Sequence, residues 1–479
     1  MTNRIAIVGA GISGLAAALQ VRQFQPDVQV VVYEASDRVG GTIRSEHVDG
    51  FTLEGGPDSF LTSKPGGIAL VNSLGLAGQM VGTLPAVQRS YVLRNGSLLP
   101  FPRGLSGLVP AEIKPLLTSS LLSPIGKIRL FGDLVIPPKQ SIEDESLASF
   151  VTRRVGTELY ERIMEPLLSG IFAGDGEKLS LAATAPQLRA AEQSHGGLIR
   201  GAMAKAREAS QRDTTSTGPR GFASFSGGMG VLTETAATTV RESGTQLCTG
   251  VRCEAITREE RGFLLTLREG DRTFTDRVSG VVLAVQGWAA APLLEGVAPG
   301  AAAAMKEIEY VSNALVSVAF PAVQLRAPIT GYGYVVPRAE RRDVTAMTWM
   351  SSKWANRAPG GSVVIRAFFG RAGRMEVLNE PDNRLVTRVV RELNEVMGLT
   401  VTPTLTRVHR IDRGMPQYNM GHLQRVDVIE AALAESPGLQ IAGNMFRGVG
   451  IPDCISSGQN AARNVVSDLQ LMGILPGRR

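Results

Sequence analysis

The opening residues carry the pattern that most restricts how this chain can fold. Arg4 to Val8 is a short apolar run of strand type, Gly9-Ala10-Gly11-Ile12-Ser13-Gly14 follows without a break, and Leu15-Ala16-Ala17-Ala18-Leu19 continues as a strong helix former. Strand, glycine turn and helix in this order predict the first half of a βαβ nucleotide-binding unit. Gly9 permits the sharp turn, Gly11 lets the backbone approach a pyrophosphate, and Gly14 lets helix and strand pack closely, so that the helix N-terminus faces the anion. A second strand, Val28 to Tyr33, ends at Glu34, about 20 residues beyond Gly14, where a carboxylate accepts hydrogen bonds from an adenosine ribose. A glycine turn alone often only redirects the chain. With both strands, the helix and the terminal acid in place, the pattern reads as an ADP site, and the glycines leave nicotinamide and flavin dinucleotides both open.

Two further glycines flanked by arginines follow in Arg38-Val39-Gly40-Gly41-Thr42-Ile43-Arg44, continuing backbone contact along an extended cofactor. This arrangement resembles the FAD-binding start of the amine oxidase and phytoene desaturase superfamily. Near the other end, a strand over Gly438 to Asn444 leads to Gly448-Val449-Gly450-Ile451-Pro452-Asp453-Cys454-Ile455, which opens a last helix reaching about Leu471. Pro452 fits a first helical turn. The free N–H groups and positive partial charge of such a turn suit the N1/C2-oxygen edge of a flavin, which becomes negative on reduction. Taken alone, the turn reads equally well as the start of a terminal packing helix.

At 479 residues the chain accommodates two or three domains with cores of their own. Its net charge of +6, from 50 basic and 44 acidic residues, favours an anionic small molecule or an anionic membrane surface. Aromatic residues are only 5% and no Lys/Arg block interleaves with them, which argues against nucleic acid. Cys248, Cys253 and Cys454 form no CxxC pair, and His47, His195, His409 and His422 are scattered, so neither a disulfide framework nor a metal is expected. The chain enters a core strand at once, which leaves no room for a signal or transit peptide and predicts a cytoplasmic protein. Residues 65–88 are uncharged but contain Asn72, Ser73, Gln79 and several glycines, a poor transmembrane segment.

The expected fold is α/β: a Rossmann-like FAD-binding domain with a mixed-sheet substrate domain and a mainly helical insertion. The FAD-binding domain is drawn from 1–85, 216–300 and 416–479, the substrate domain from 86–105 and 301–415, and the insertion from 106–215. Phe51 to Phe60 reads as a strand and a rigid Gly-Pro loop, and Arg94-Asn95-Gly96 as a tight turn between strands. Helical spacing covers Leu116–Val135, Ser146–Ser169 and Leu179–Ala206, broken at Pro137-Pro138 and Gly174-Asp175-Gly176. Arg207 to Arg220 is polar and reads as a mobile linker. Strands follow over Cys248–Ile256, Gly262–Glu269, Arg272–Val278 and Val281–Val285. Val311–Phe320, Gly333–Pro337, Val344–Met350, Val363–Phe369 and Leu405–Ile411 read as a second sheet, with an amphipathic helix over Asp382–Met397.

Glu165 to Asp175, Met415-Pro416-Gln417-Tyr418 with Gly421-His422, and Gly448 to Cys454 closely resemble the oxygen-dependent protoporphyrinogen/coproporphyrinogen oxidases. The resemblance runs essentially end to end, and Arg89 to Leu93 and Gly448 to Asp453 look most like the bacterial coproporphyrinogen III oxidase type. It implies FAD, O2 as acceptor, and coproporphyrinogen III or protoporphyrinogen IX as substrate. It also implies transient contact with ferrochelatase and peripheral contact with the inner face of the cell membrane. Carried over by family match, the cofactor contacts are Gly9, Gly11, Ser13, Gly14, Glu34, Thr42, Gly56, Pro57, Asp58, Ser59, Val251, Val449, Gly450 and Ile451. Gly170 and Ile171 match the substrate-facing stretch, where a carbonyl accepts from pyrrole N–H groups. Lys64 matches a basic position of some bacterial members and is the expected propionate partner, although Ser63 stands where some relatives have arginine. Arg44, Arg89 and Arg94 are lesser candidates. Amine oxidases of the superfamily favour an aromatic cage, of which Trp288, Trp349 and Trp354 give no clear sign.

Overall fold

In the computed structural model, residues 3–84, 89–102, 105–106, 109–110, 114–141, 143–211 and 221–476 are described. Five parallel strands form the central sheet, in the spatial order Gln246–Thr249, Gln29–Glu34, Arg4–Val8, Gly280–Leu283 and Leu439–Ile441. Both of its faces are covered, which is why its strands are continuous apolar runs. On one face Ile5, Ile7, Val30 and Val32 pack with Leu15, Val21, Ala236, Val465 and Leu469 of helices Ile12–Phe24, Gly230–Glu242 and Ile451–Leu471. On the other, Ala6, Val8, Val31 and Leu283 meet Phe263, Leu265 and Leu267 of a three-stranded antiparallel sheet, together with helices Gly287–Leu294 and Pro299–Lys306. Fully burying each Val, Leu or Ile side chain contributes about 1.5–3 kcal/mol, so this double-sided core fixes the sheet rigidly.

The expected strand over Cys248–Ile256 is two strands. Gly250, at φ 74°, turns the chain between Gln246–Thr249, which lies at the edge of the parallel sheet, and Val251–Glu259, which opens the antiparallel one. A left-handed backbone at that point favours glycine and redirects the strand without a loop.

A second, seven-stranded sheet runs in the order Leu405–Pro416, Tyr310–Pro321, Ser362–Phe369, Val344–Thr348, Gly333–Val335, Ser90–Arg94 and Ser97–Pro100. Only the pair of Gly333–Val335 with Ser90–Arg94 is parallel, so the sheet is mixed. Helix Asp382–Met397 covers one face through Leu385, Val389 and Leu393. The turn at Asn95-Gly96 has both residues at positive φ, 47° and 75°, which is the twist a two-residue hairpin requires.

The region between the two parts is helical but more interrupted than its periodicity predicts. Leu116–Val135 divides into Lys114–Thr118, Pro124–Leu130 and the turn Phe131–Leu134; Ser146–Ser169 breaks at Gly156; Leu179–Ala206 breaks at Ala185-Pro186 and Gly196-Gly197. Ser123 and Ser146 start helices by accepting from Gly126 N and Ser149 N, local caps that end one apolar period and begin another. Of the expected linker, 207–211 continue helix Leu198–Gln211, and 212–220 lie outside the described residues.

Candidate functional site

The parallel sheet delivers Val8 to a turn that only its glycines permit. Gly9 sits at φ 105°, and a methyl group on it would come within 2.5 Å of the Ala284 carbonyl oxygen; one on Gly14 would overlap the carbonyl oxygen of Gly9. Gly11 differs. Its nearest neighbour in the same test is the Gly41 α-carbon at 3.9 Å, so space beside it is left open. Helix Ile12–Phe24 starts there with no side-chain cap and no acid in its first turn, so its N–H groups are offered outward, as an anion site requires. Glu34 stands behind: Oε2 accepts from Ala10 N (2.7 Å) and Oε1 from Ser36 N (2.9 Å) and Ser36 Oγ (2.7 Å). A carboxylate so held keeps lone pairs for a ribose. Gly250 N donates to Ser36 O (2.7 Å), which brings the buried Val251 beside the Glu34–Ser36 corner.

Gly40 N donates to Ala10 O (2.8 Å), and Thr42, exposed, follows along the same opening. Gly55 N donates to Arg44 O (2.8 Å), joining that segment to the Gly56-Pro57-Asp58-Ser59 loop. This loop is clamped from below. Arg366, an arginine within the apolar strand Ser362–Phe369, donates to Glu54 O (3.2 Å) and Gly56 O (2.7 Å). Asp58 accepts from Lys353 Nζ (2.9 Å), Trp354 Nε1 (3.2 Å) and Ser59 Oγ (2.9 Å), and lies 3.4 Å from Arg366. Burial alone would raise its carboxyl, but Lys353 and Arg366 outweigh it and hold Asp58 well below the usual carboxylate range. The Asp58 side chain is thereby directed into the protein. Neither Arg366 nor Lys353 is singled out by sequence pattern, although a lone arginine in an apolar strand is the signal that finds one of them.

The far turn is assembled from side chains. Tyr418, fully buried, donates its hydroxyl to Asn444 O and accepts from Gly448 N at 3.0 Å. Its ring stacks on His422 (centroids 4.0 Å apart), whose Nε2 is paired with Phe446 O at 2.8 Å. Burial lowers His422 to about 4, so the ring is neutral and Nε2 donates. Asn444 Nδ2 reaches Gly414 O (3.1 Å), and Ser457 Oγ accepts from Gly443 N (3.0 Å). Asp453, third residue of the last helix, accepts from Gly450 N at 3.2 Å. Val449 meanwhile packs against the helical region's core. The first and last helices are in contact: a methyl on Gly458 would overlap the Ser13 carbonyl oxygen. The two glycine turns, from opposite ends of the chain, therefore border one opening.

Gly170 and Ile171 are exposed on the last turn of helix Glu165–Phe172, which ends at Ala173 (φ 48°). Their carbonyls receive no hydrogen bond among the described residues, whereas Phe172 O is taken by Gln417 Nε2 (2.9 Å). Gln417 and Tyr418, neighbours on one segment, thus hold the end of this helix and the far glycine turn at once, a link that the Met415-to-His422 motif conceals in sequence. Lys64 is ion-paired with Asp453. Arg94 donates to Leu121 O (3.1 Å) and so braces the helical region; Arg44 and Arg89 are exposed.

The parallel sheet, the open glycine turn, the Glu34 carboxylate at the end of the second strand and a second helix N-terminus fit a dinucleotide-binding protein on a Rossmann-like fold, and Gly11's open side leaves room for a pyrophosphate. Over 472 residues the chain is 35% identical to the coproporphyrinogen III oxidase of Bacillus subtilis, covering 98% of each. It is 31% identical to the chloroplastic protoporphyrinogen oxidase 1 of Arabidopsis thaliana, covering 97% of this chain and 88% of that one. A solved structure from Exiguobacterium sp. 255-15, provisionally assigned as a protoporphyrinogen oxidase, superposes with a TM-score of 0.82 at 30% identity, covering 98% and 99% of the two chains. The chain belongs to the family of flavin containing amine oxidoreductases, which it matches over residues 12–466, and within it to the group of the porphyrinogen oxidases.

Proposed function

We propose that this chain binds FAD across the two glycine turns and oxidises coproporphyrinogen III to coproporphyrin III, with O2 as acceptor and release of hydrogen peroxide, in haem biosynthesis. The observation that carries the reading is the end-to-end likeness to the Bacillus subtilis coproporphyrinogen III oxidase. When bound, FAD supplies two-electron oxidation: in total six hydrogens leave the tetrapyrrole and three O2 become three hydrogen peroxide molecules. The protein's task is positioning. Gly9, Gly11, Ser13 and Gly14 present backbone to the pyrophosphate, Glu34 takes the ribose and Val251 the adenine. The backbone of Thr42 and of Gly56-Pro57-Asp58-Ser59 runs along the middle of the cofactor, and Val449, Gly450 and Ile451 meet its flavin end. The unbonded carbonyls of Gly170 and Ile171 accept from pyrrole N–H groups.

Exposed Ile125, Ile128 and Val135 beside Lys127 support the reading of peripheral contact with an anionic membrane. No helix among the described residues is long and apolar enough to cross one. Contact with ferrochelatase rests on the family resemblance alone.

The test is to purify the protein, record its flavin absorbance, and follow porphyrin fluorescence in air with coproporphyrinogen III and protoporphyrinogen IX at equal concentration. Yellow protein that turns over coproporphyrinogen III faster is the expected result. Faster turnover of protoporphyrinogen IX moves the assignment to that substrate, and colourless protein yielding no porphyrin overturns it.

A further inference from the structure

Lys64 is the N-cap residue of helix Pro65–Ser73, and its Nζ lies 2.7 and 2.6 Å from the two carboxylate oxygens of Asp453. The two helix N-termini converge here: a methyl on Gly66 would stand 2.8 Å from the Pro452 carbonyl oxygen. Asp453 has a reason to be present, since its second oxygen caps Gly450 N and fixes the glycine turn. That reason brings a fixed negative charge to the edge of the cradle where the flavin would gain negative charge on reduction. On its other side Asp453 borders a cavity of about 570 Å³, whose single lining cation, Arg447, is held by Glu430 and Asp427. Among the described residues Lys64 is the one cation paired with Asp453.

Stability does not account for this pair. The Lys64 side chain is 46% exposed and Asp453 20%, and a pair this open to solvent that orders a long lysine adds little net stability. Its value lies in what it cancels. We propose that Lys64 is a charge-compensating, positioning residue: by pairing with Asp453 it offsets the negative charge beside the flavin end of the cradle and thereby sets the reduction potential of the cofactor. The inference rests on FAD being that cofactor. Fixed charge near N1 tunes a flavin because the reduced form carries more negative charge there. The capping carboxylate shapes the turn, and the lysine removes its electrostatic penalty.

The experiment is an anaerobic spectroscopic titration of the flavin potential in the wild type, Lys64→Gln, Lys64→Arg, Asp453→Asn and the Lys64→Gln/Asp453→Asn double variant, with FAD content and KM for coproporphyrinogen III measured alongside. Lys64→Gln should move the potential negative by a tenfold change in the oxidised-to-reduced ratio, about 30 mV for a two-electron couple. Lys64→Arg should stay near the wild type, Asp453→Asn should move the potential positive, and the double variant, which removes both charges of the pair, should return close to the wild-type potential. An unmoved potential with a raised KM would identify Lys64 as a propionate anchor and sink the proposal, as would a double variant whose potential stays as negative as that of Lys64→Gln. Protein that carries no FAD removes the cofactor reading and this inference together, whereas FAD-loaded protein with an unmoved potential removes only the latter.

Discussion

The two glycine turns that border the opening are made in opposite ways. At Gly9-Ala10-Gly11-Ile12-Ser13-Gly14 the shape comes from what is missing, because side chains at Gly9 and Gly14 would strike backbone oxygens. At 443–450 it comes from what is supplied: Tyr418 holds two backbone groups, and His422, Asp453 and Ser457 hold one each. The first is a local steric solution. The second is a long-range hydrogen-bonded one, and its failure modes should differ.

The largest effect is expected at the steric end. Gly14→Ala places a methyl group into the Gly9 carbonyl; overpacking against backbone costs about 1–3 kcal/mol or more. FAD content and the thermal midpoint should fall together. Gly11→Ala sharpens the contrast, since its methyl meets nothing closer than the Gly41 α-carbon at 3.9 Å. The cofactor-free protein should keep its midpoint while FAD affinity drops by about tenfold or more; a lowered midpoint would mean that the open side is part of the fold rather than of the site.

At the braced end the loss is intermediate. Tyr418→Phe leaves Asn444 O and Gly448 N without their partner, which costs about 1–3 kcal/mol. Isothermal titration with FAD should show weakening of about tenfold, and an ADP probe, which engages only the first turn, should bind as in the wild type. Equal loss for both probes would erase the distinction between the two ends.

Acid should act on the braced end first. His422 titrates at about 4 in the folded protein against about 6.5 unfolded. Between those values the unfolded chain binds more protons, so stability falls as the pH is lowered through this window, by at most about 1.4 kcal/mol per pH unit. Burial lowers His409 as well, with the same sign, so the check is the difference between wild type and His422→Gln in urea midpoints at pH 7, 6 and 5: the variant should show the flatter slope. Asp58, whose carboxyl is depressed, contributes above its unfolded pKa and is lost only at lower pH. The smallest effect is reserved for Arg94→Ala, which removes a bond to Leu121 O and should shift the thermal midpoint slightly with KM for coproporphyrinogen III unchanged.

The same contrast explains how much was legible in the sequence. Gly9, Gly14, Glu34 and the strand–helix order around them are readable because residue type and spacing are the constraint. The mixed sheet and its amphipathic helix Asp382–Met397 are readable from period. The division of Cys248–Ile256 at Gly250 is hidden, since a strand that changes sheets keeps its apolar pattern. The clamp of Arg366 and Lys353 on the Asp58 loop, and the brace of Tyr418 on Gly448, join residues far apart in the chain. No local pattern encodes such pairs; only the register of the sheets brings them together.

The contact of the first helix with the last, where Gly458 meets Ser13, also fixes when the protein can be finished during synthesis. Strand Arg4–Val8 and its turn are made long before helix Ile451–Leu471, which closes the opening. At about 5–20 residues per second, the interval between them is on the order of half a minute or more. For the first part of it strand Arg4–Val8 has no Gly280–Leu283 beside it, and for all of it no last helix above it. A nascent chain of this kind must be shielded from aggregation for that interval, and it can lock in a dinucleotide only once helix Ile451–Leu471 is in place.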